Sequence, residues 1–139
     1  MPLVLAGPEG WGRGGVDGPG ILPVGFVSGA ERDALYAGAA AVAYPSLREG
    51  FGLPVLEAMA QGAPVLTSAG TATAEVAGDA AVLVDPLDES AIAGGLERLL
   101  GDPVAAAELG RRARERAATF TWKRCADGYE AAYREAAGA

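Results

Sequence analysis

The stretch REGFGLPVLEAMA, residues 48–60, holds the side chains whose types and spacing could do chemistry. Two carboxylates, Glu49 and Glu57, stand eight residues apart. The first falls in a loop bracketed by Gly50 and Gly52, and the second reads as part of the opening turn of a helix. Glycines give a backbone conformations closed to other residues and let a ligand approach its amides. Free amides at a helix start, with the positive end of the macrodipole, make an anion site. Pro54 costs nothing there, because its missing N–H would have been unpaired anyway. A phosphate or diphosphate is the expected anion, held by backbone more than by side-chain charge. A carboxylate has two acceptor oxygens and suits a vicinal diol such as that of a ribose or a hexose. Each glutamate also has a plainer reading: the dipole favours Glu57 near a helix start whatever binds, and Glu49 could be a solvated loop residue.

Such a loop must be carried by regular elements. Short apolar runs closed by Gly, Pro or Ser predict strands over residues 3–6, 21–27, 41–44, 64–67 and 80–84. Between and after them lie helices. Ser28 and Glu31 have the spacing of a capping box for a helix to about residue 39; a second helix over 53–61 stops at Gly62; a helical turn covers 74–78. Asp88, Asp102 and Thr121 cap the last three helices. In the first of these, Ile92, Leu96, Leu99 and Leu100 keep one face despite Gly94 and Gly95. Tyr129 and Tyr133 share one side of the last helix, while Phe26, Phe51 and above all Trp122 read as core packing. Residues 7–20 hold seven glycines and read as a mobile loop. The alternation describes an α/β fold, a Rossmann-like open parallel sheet with helices on both faces. Ligands of such sheets collect at the carboxyl ends of strands, here Gly7 and Pro8, Val27 and Ser28, 45–52 and 67–71.

Composition removes several classes of function. A length of 139 residues suits a single domain spanning 1–139. Cys125 is the one cysteine and there is no histidine, which excludes a disulfide framework, ordinary zinc sites and any Ser/His or Cys/His machinery held within this chain. With 11 basic residues against 18 acidic ones, net charge −7, nucleic acid is a poor partner. No apolar run has the length of a membrane span and the Met-Pro start lacks a signal-peptide layout, so the expectation is a soluble, cytoplasmic chain. The run Arg111, Arg112, Arg114 and Arg116 reads as a solvated face beside Glu108 and Glu115 rather than a membrane contact.

The segment EGFGLPVLEAMAQGAPV, residues 49–65, resembles the E-x7-E motif of retaining GT-B glycosyltransferases of group 1 (family 4). The likeness extends to VGFV at 24–27, YPS at 44–46, GDAAVLVDP at 78–86 and FTW at 120–122, in the order of that family's C-terminal, donor-binding domain. The resemblance implies a site for a nucleotide-diphosphate sugar as substrate and no cofactor; no D-x-D pair lies near that site and amides with a helix dipole would meet the phosphates, so no metal is expected. Glu57 would bind the ribose hydroxyls and Glu49 would contact the transferred hexose as the catalytic residue. The loop from Gly50, with amides at Phe51, Gly52 and Leu53, would receive phosphate or sugar oxygens, and the base would lie against Val27 and Ser28. Two departures stand out. The Arg and Lys that relatives carry upstream of the first strand are missing, with Arg48 at a variable position of the motif, and only residues 7–20 stand where relatives place a helix. The resemblance further implies an absent N-terminal acceptor domain as partner, no turnover by this chain alone, and possible self-association of uncovered apolar surface. A regulatory module that binds nucleotide without transfer remains the alternative, separable by whether the sugar matters to binding.

Overall fold

A computed structural model of the chain describes residues 1–8 and 18–138. Most of the glycine-rich stretch read as a loop therefore lies outside the described residues. The chain divides into two compact units, Met1–Leu35 and Tyr36–Ala139.

In the first unit, β1 (Leu3–Ala6) runs parallel to β2 (Ile21–Gly25), with Leu3 opposite Ile21. The sequence predicts β2 as far as Val27, but Gly25 takes φ +66° and ends the strand two residues earlier. Phe26, just beyond that break, is exposed rather than packed in a core. The next element, α1 (Gly29–Gly38), opens on the expected capping box. The Ser28 amide and hydroxyl both donate to Glu31 Oε2 at 2.7 Å, and the Glu31 amide donates back to Ser28 Oγ at 3.3 Å. The Ser28 hydrogen bonds hold the Glu31 carboxyl below the usual carboxylate range.

The second unit continues with β3 (Val42–Tyr44), α2 (Leu53–Ala60), β4 (Val65–Ser68), α3 (Ala72–Ala77), β5 (Val82–Val84), α4 (Glu89–Gly101), α5 (Pro103–Ala117) and α6 (Trp122–Ala136). Its strands form a parallel sheet in the order β3-β4-β5, with Val42 opposite Val65 and Leu66 opposite Val82. The central strand β4 is buried along its whole length, and the alternation of a strand sends its neighbours to opposite faces. Val65 joins Val55, Met59, Val76 and Ala113, from α2, α3 and α5. Leu66 joins Val84, Leu99 and Leu109, from the other side with α4. Helices thus cover both faces, and each fully buried Val, Leu or Met contributes about 1.5–3 kcal/mol.

Close helix approach depends on glycine at two places. A Cβ at Gly95 would stand 2.5 Å from Leu66 Cδ1, and one at Gly110 would overlap the Gly62 carbonyl. The last helix departs from expectation. No residue of α6 is buried and Trp122 is 87% exposed, so its indole is not core packing. The aromatic periodicity marked a helix, but no core face comes with it. Tyr129 and Tyr133 stack on each other at 6.4 Å between centroids while remaining in solvent.

Candidate active site

Glu49 follows the carboxyl end of β3, and that end is fastened from beneath. Thr67 and Ser68 of β4, both fully buried, donate their hydroxyls to the Tyr44 carbonyl at 2.9 Å and the Ser46 carbonyl at 2.6 Å. Buried hydroxyls need such partners, and the strand end gains fixed geometry from them. From this footing the Tyr44 hydroxyl donates to Glu49 Oε1 at 2.5 Å, and Ser46 Oγ lies 3.0 Å from the same oxygen. The Ser46 hydroxyl also has the Arg48 carbonyl within reach at 3.1 Å. Among the described residues no protein group bonds to Glu49 Oε2. Burial, then the hydrogen bond and charge of Glu49, then the nearby Tyr36, push the Tyr44 hydroxyl up to about 12. A shallow, open depression of about 290 Å³ is lined by Ala43, Tyr44, Pro45 and Ser46.

The loop then enters α2. Gly52 caps the helix at φ +92°, and its carbonyl accepts from the amides of Val55 at 3.1 Å and Leu56 at 3.2 Å. A Cβ there would stand 2.8 Å from Thr73 Cγ2, so both the backbone and the space demand glycine. Thr73 is itself fully buried, with Oγ1 2.7 Å from Thr71 Oγ1 and 3.3 Å from the Ser68 carbonyl. Gly50 differs from the expectation of two conformationally special glycines. Its φ is not positive, and a Cβ would meet nothing within 4 Å. The amides of Gly50, Phe51, Gly52 and Leu53 have no backbone partner among the described residues, and Pro54 is the second residue of the helix.

Glu57 needs a second correction. The helix starts at Leu53, which makes Glu57 its fifth residue, beyond the first turn, where the dipole's influence has fallen off. It lies four residues after Leu53 on the same face, is half-buried, and already interacts within the protein. Phe51 is neither core nor free. It is 45% exposed, with its ring edge-on to Phe120 at 6.1 Å. Phe120 in turn carries the Arg116 guanidinium 5.6 Å from its centroid, while Arg116 donates to the Glu75 and Val76 carbonyls at 2.5 Å each. One continuous loop and helix therefore carries Glu49, the open amides and Glu57. Val27 and Ser28 belong to the first unit. There Val27 is half-buried, and the Ser28 amide and hydroxyl are engaged by Glu31.

Sequence reasoning gave no role to Tyr44, Ser46, Thr67, Ser68, Thr71 or Thr73, although four of them fall in the strand ends 45–52 and 67–71 that it marked as ligand-collecting. The available signal was a run of hydroxyl residues closing an otherwise apolar strand. The arginine run on α5 is also more than a solvated face. Arg111 bridges Glu108 at 2.6 Å and Glu115, Arg112 pairs with Asp79 at 3.6 Å, and Arg114 donates to the Gln61 carbonyl at 2.8 Å. No group of three or more His, Cys, Asp or Glu side chains among the described residues could hold a metal ion. No helix among them is long and apolar enough to cross a membrane.

The family model for glycosyl transferases group 1 matches residues 20–116, a span that contains this entire loop and helix. The chain belongs to that family. It is 38% identical over 133 residues to O-antigen chain mannosyltransferase B of Escherichia coli, covering 89% of this chain and 35% of that protein. It is 42% identical over 105 residues to D-inositol 3-phosphate glycosyltransferase of Corynebacterium diphtheriae, covering 74% and 25% respectively. Among solved structures, sucrose-phosphate synthase from Thermosynechococcus elongatus superposes with a TM-score of 0.75 at 33% identity, over 86% of this chain and 31% of that one. The chain thus spans about a quarter to a third of the length of the relatives it matches, and the parallel α/β architecture is the GT-B one that the resemblance implied.

Proposed function

We propose that this chain is the donor-binding half of a retaining glycosyltransferase, taking a nucleotide-diphosphate sugar whose hexosyl group passes to an acceptor. The carrying observation is the Glu49 carboxylate, with Oε1 held by Tyr44 and Ser46 and no protein partner on Oε2 among the described residues, in the loop that enters α2 through amides lacking a backbone partner among those residues. Glu49 meets the transferred hexose, the amides of residues 50–53 take the diphosphate and Glu57 takes the ribose diol. Amides and a helix dipole supply the phosphate contacts, so no divalent ion is required. The acceptor site belongs to a second domain, in keeping with the fraction of each relative that the chain covers.

Calorimetric titration with UDP, GDP and ADP, and with a hexose donor of each, tests this reading. A charge-assisted hydrogen bond contributes about 1.5–3 kcal/mol, so Glu57→Gln should weaken nucleotide and donor alike by about tenfold or more. Glu49→Gln should leave the bare nucleotide unchanged and weaken only the sugar-bearing donor. Excess chelator should change neither affinity. Parental binding by Glu57→Gln would remove the ribose assignment. Equal binding of nucleotide and donor, unmoved by Glu49→Gln, would indicate the regulatory nucleotide-binding module instead.

A further inference from the structure

The polar groups at the end of β3 do more than satisfy one another. Two hydroxyls converge on a single oxygen of Glu49, at 2.5 Å from Tyr44 and 3.0 Å from Ser46, and leave the other without a protein partner among the described residues. Both donors sit on backbone pinned by fully buried side chains, Thr67 below Tyr44 and Ser68 below Ser46. A free glutamate would turn among its rotamers. One whose Oε1 is held at two points keeps its plane, and so the direction in which Oε2 faces.

We propose that Tyr44 and Ser46 are positioning residues for sugar recognition, a clamp on Glu49 Oε1 that aims Oε2 at a hydroxyl of the transferred hexose. The assignment rests on the donor-site reading of Glu49 given above. With its hydroxyl pushed up to about 12, Tyr44 stays a protonated donor throughout the neutral range, so the clamp does not open with physiological pH. The tyrosine is the stronger arm, because the Ser46 hydroxyl has one hydrogen and a second acceptor, the Arg48 carbonyl at 3.1 Å.

Calorimetry on the intact chain tests the clamp, with the nucleotide sugar and its bare nucleoside diphosphate against Tyr44→Phe, Ser46→Ala, Ser46→Thr, Glu49→Gln and the Tyr44→Phe/Glu49→Gln double variant. Tyr44→Phe should cut the preference for the sugar-bearing donor by about fivefold to tenfold, leaving nucleotide affinity within twofold of the parent. Ser46→Ala should lose less and Ser46→Thr should restore it. In the double variant the two losses should not add, because they act through one carboxylate. If Glu49→Gln itself keeps the sugar preference, the donor-site reading fails. If Glu49→Gln loses it while Tyr44→Phe keeps it, the clamp fails and that reading stands. Should Tyr44→Phe not fold, tyrosine ionisation followed by ultraviolet absorbance decides the point. The Tyr44 hydroxyl should titrate lower in Glu49→Gln than in the parent, and a tyrosine titration unmoved by that change would overturn the clamp.

Discussion

At the scale of single residues, the site turns on differences that identical letters conceal. Gly50 and Gly52 flank the same phenylalanine, yet only Gly52 has a left-handed backbone and a neighbour, Thr73, where a Cβ would go. A non-glycine residue in that region of backbone space costs about 1–3 kcal/mol, before the steric overlap is counted. Thermal melts should therefore show Gly52→Ala several degrees below the parent, and Gly50→Ala within about 0.5 kcal/mol of it. The glutamates differ in the same way. Glu49 is held by named donors in a loop, whereas Glu57 sits in the second turn of α2, where the macrodipole contributes little to it.

At the scale of elements, caps and close approaches decide which helices belong to the cooperative core. Asp102 accepts from the amides of Val104 at 3.1 Å and Ala105 at 3.0 Å, and it caps a helix that buries Ala106, Leu109, Gly110, Ala113 and Ala117. Thr121 accepts from the Arg124 amide at 3.1 Å, but the helix it caps buries nothing. Each cap removed costs its own helix about 1 kcal/mol. Asp102→Ala should lower the melting temperature by about 2–6 °C. Thr121→Ala should leave it almost unmoved and instead speed amide exchange in the first turn of α6, because local opening there is already separate from global unfolding. The Glu31 cap adds a pH dependence with a definite sign. Its folded carboxyl titrates below its unfolded value of 4.5, so its contribution is present above that pH and is lost as pH falls through the folded value.

At the scale of the whole molecule, the chain carries large apolar side chains in solvent, among them Leu3, Leu22, Phe26, Leu53, Trp122, Tyr129 and Tyr133. Exposed apolar surface of this kind favours association, and light scattering should give a mass that rises across a concentration series. A strict monomer at high concentration would count against it. By the proposed division of labour, the chain alone should transfer no hexose to any acceptor, and covalent addition of an N-terminal domain from a relative should restore turnover. Multiple turnovers by the 139 residues alone would require catalytic groups other than those described.

Much of this was legible in the order of residues. The five strands, the caps at Ser28, Asp88, Asp102 and Thr121, and the loop and helix bearing Glu49 and Glu57 were all determined locally, because turn, cap and strand propensities act over a few residues. Partners distant in the chain were decided by the tertiary structure. The bonds from Thr67 and Ser68 back to Tyr44 and Ser46 cross more than twenty residues, and Arg116 reaches forty residues to α3. The same holds for the need for glycine at positions 95 and 110, where adjacent Gly94 shows no such contact. Trp122 gives the converse case, since its apolar side chain promised burial that only a packed neighbour could provide. Local preference fixes an element and its ends, whereas burial and hydrogen-bond satisfaction depend on which surfaces meet.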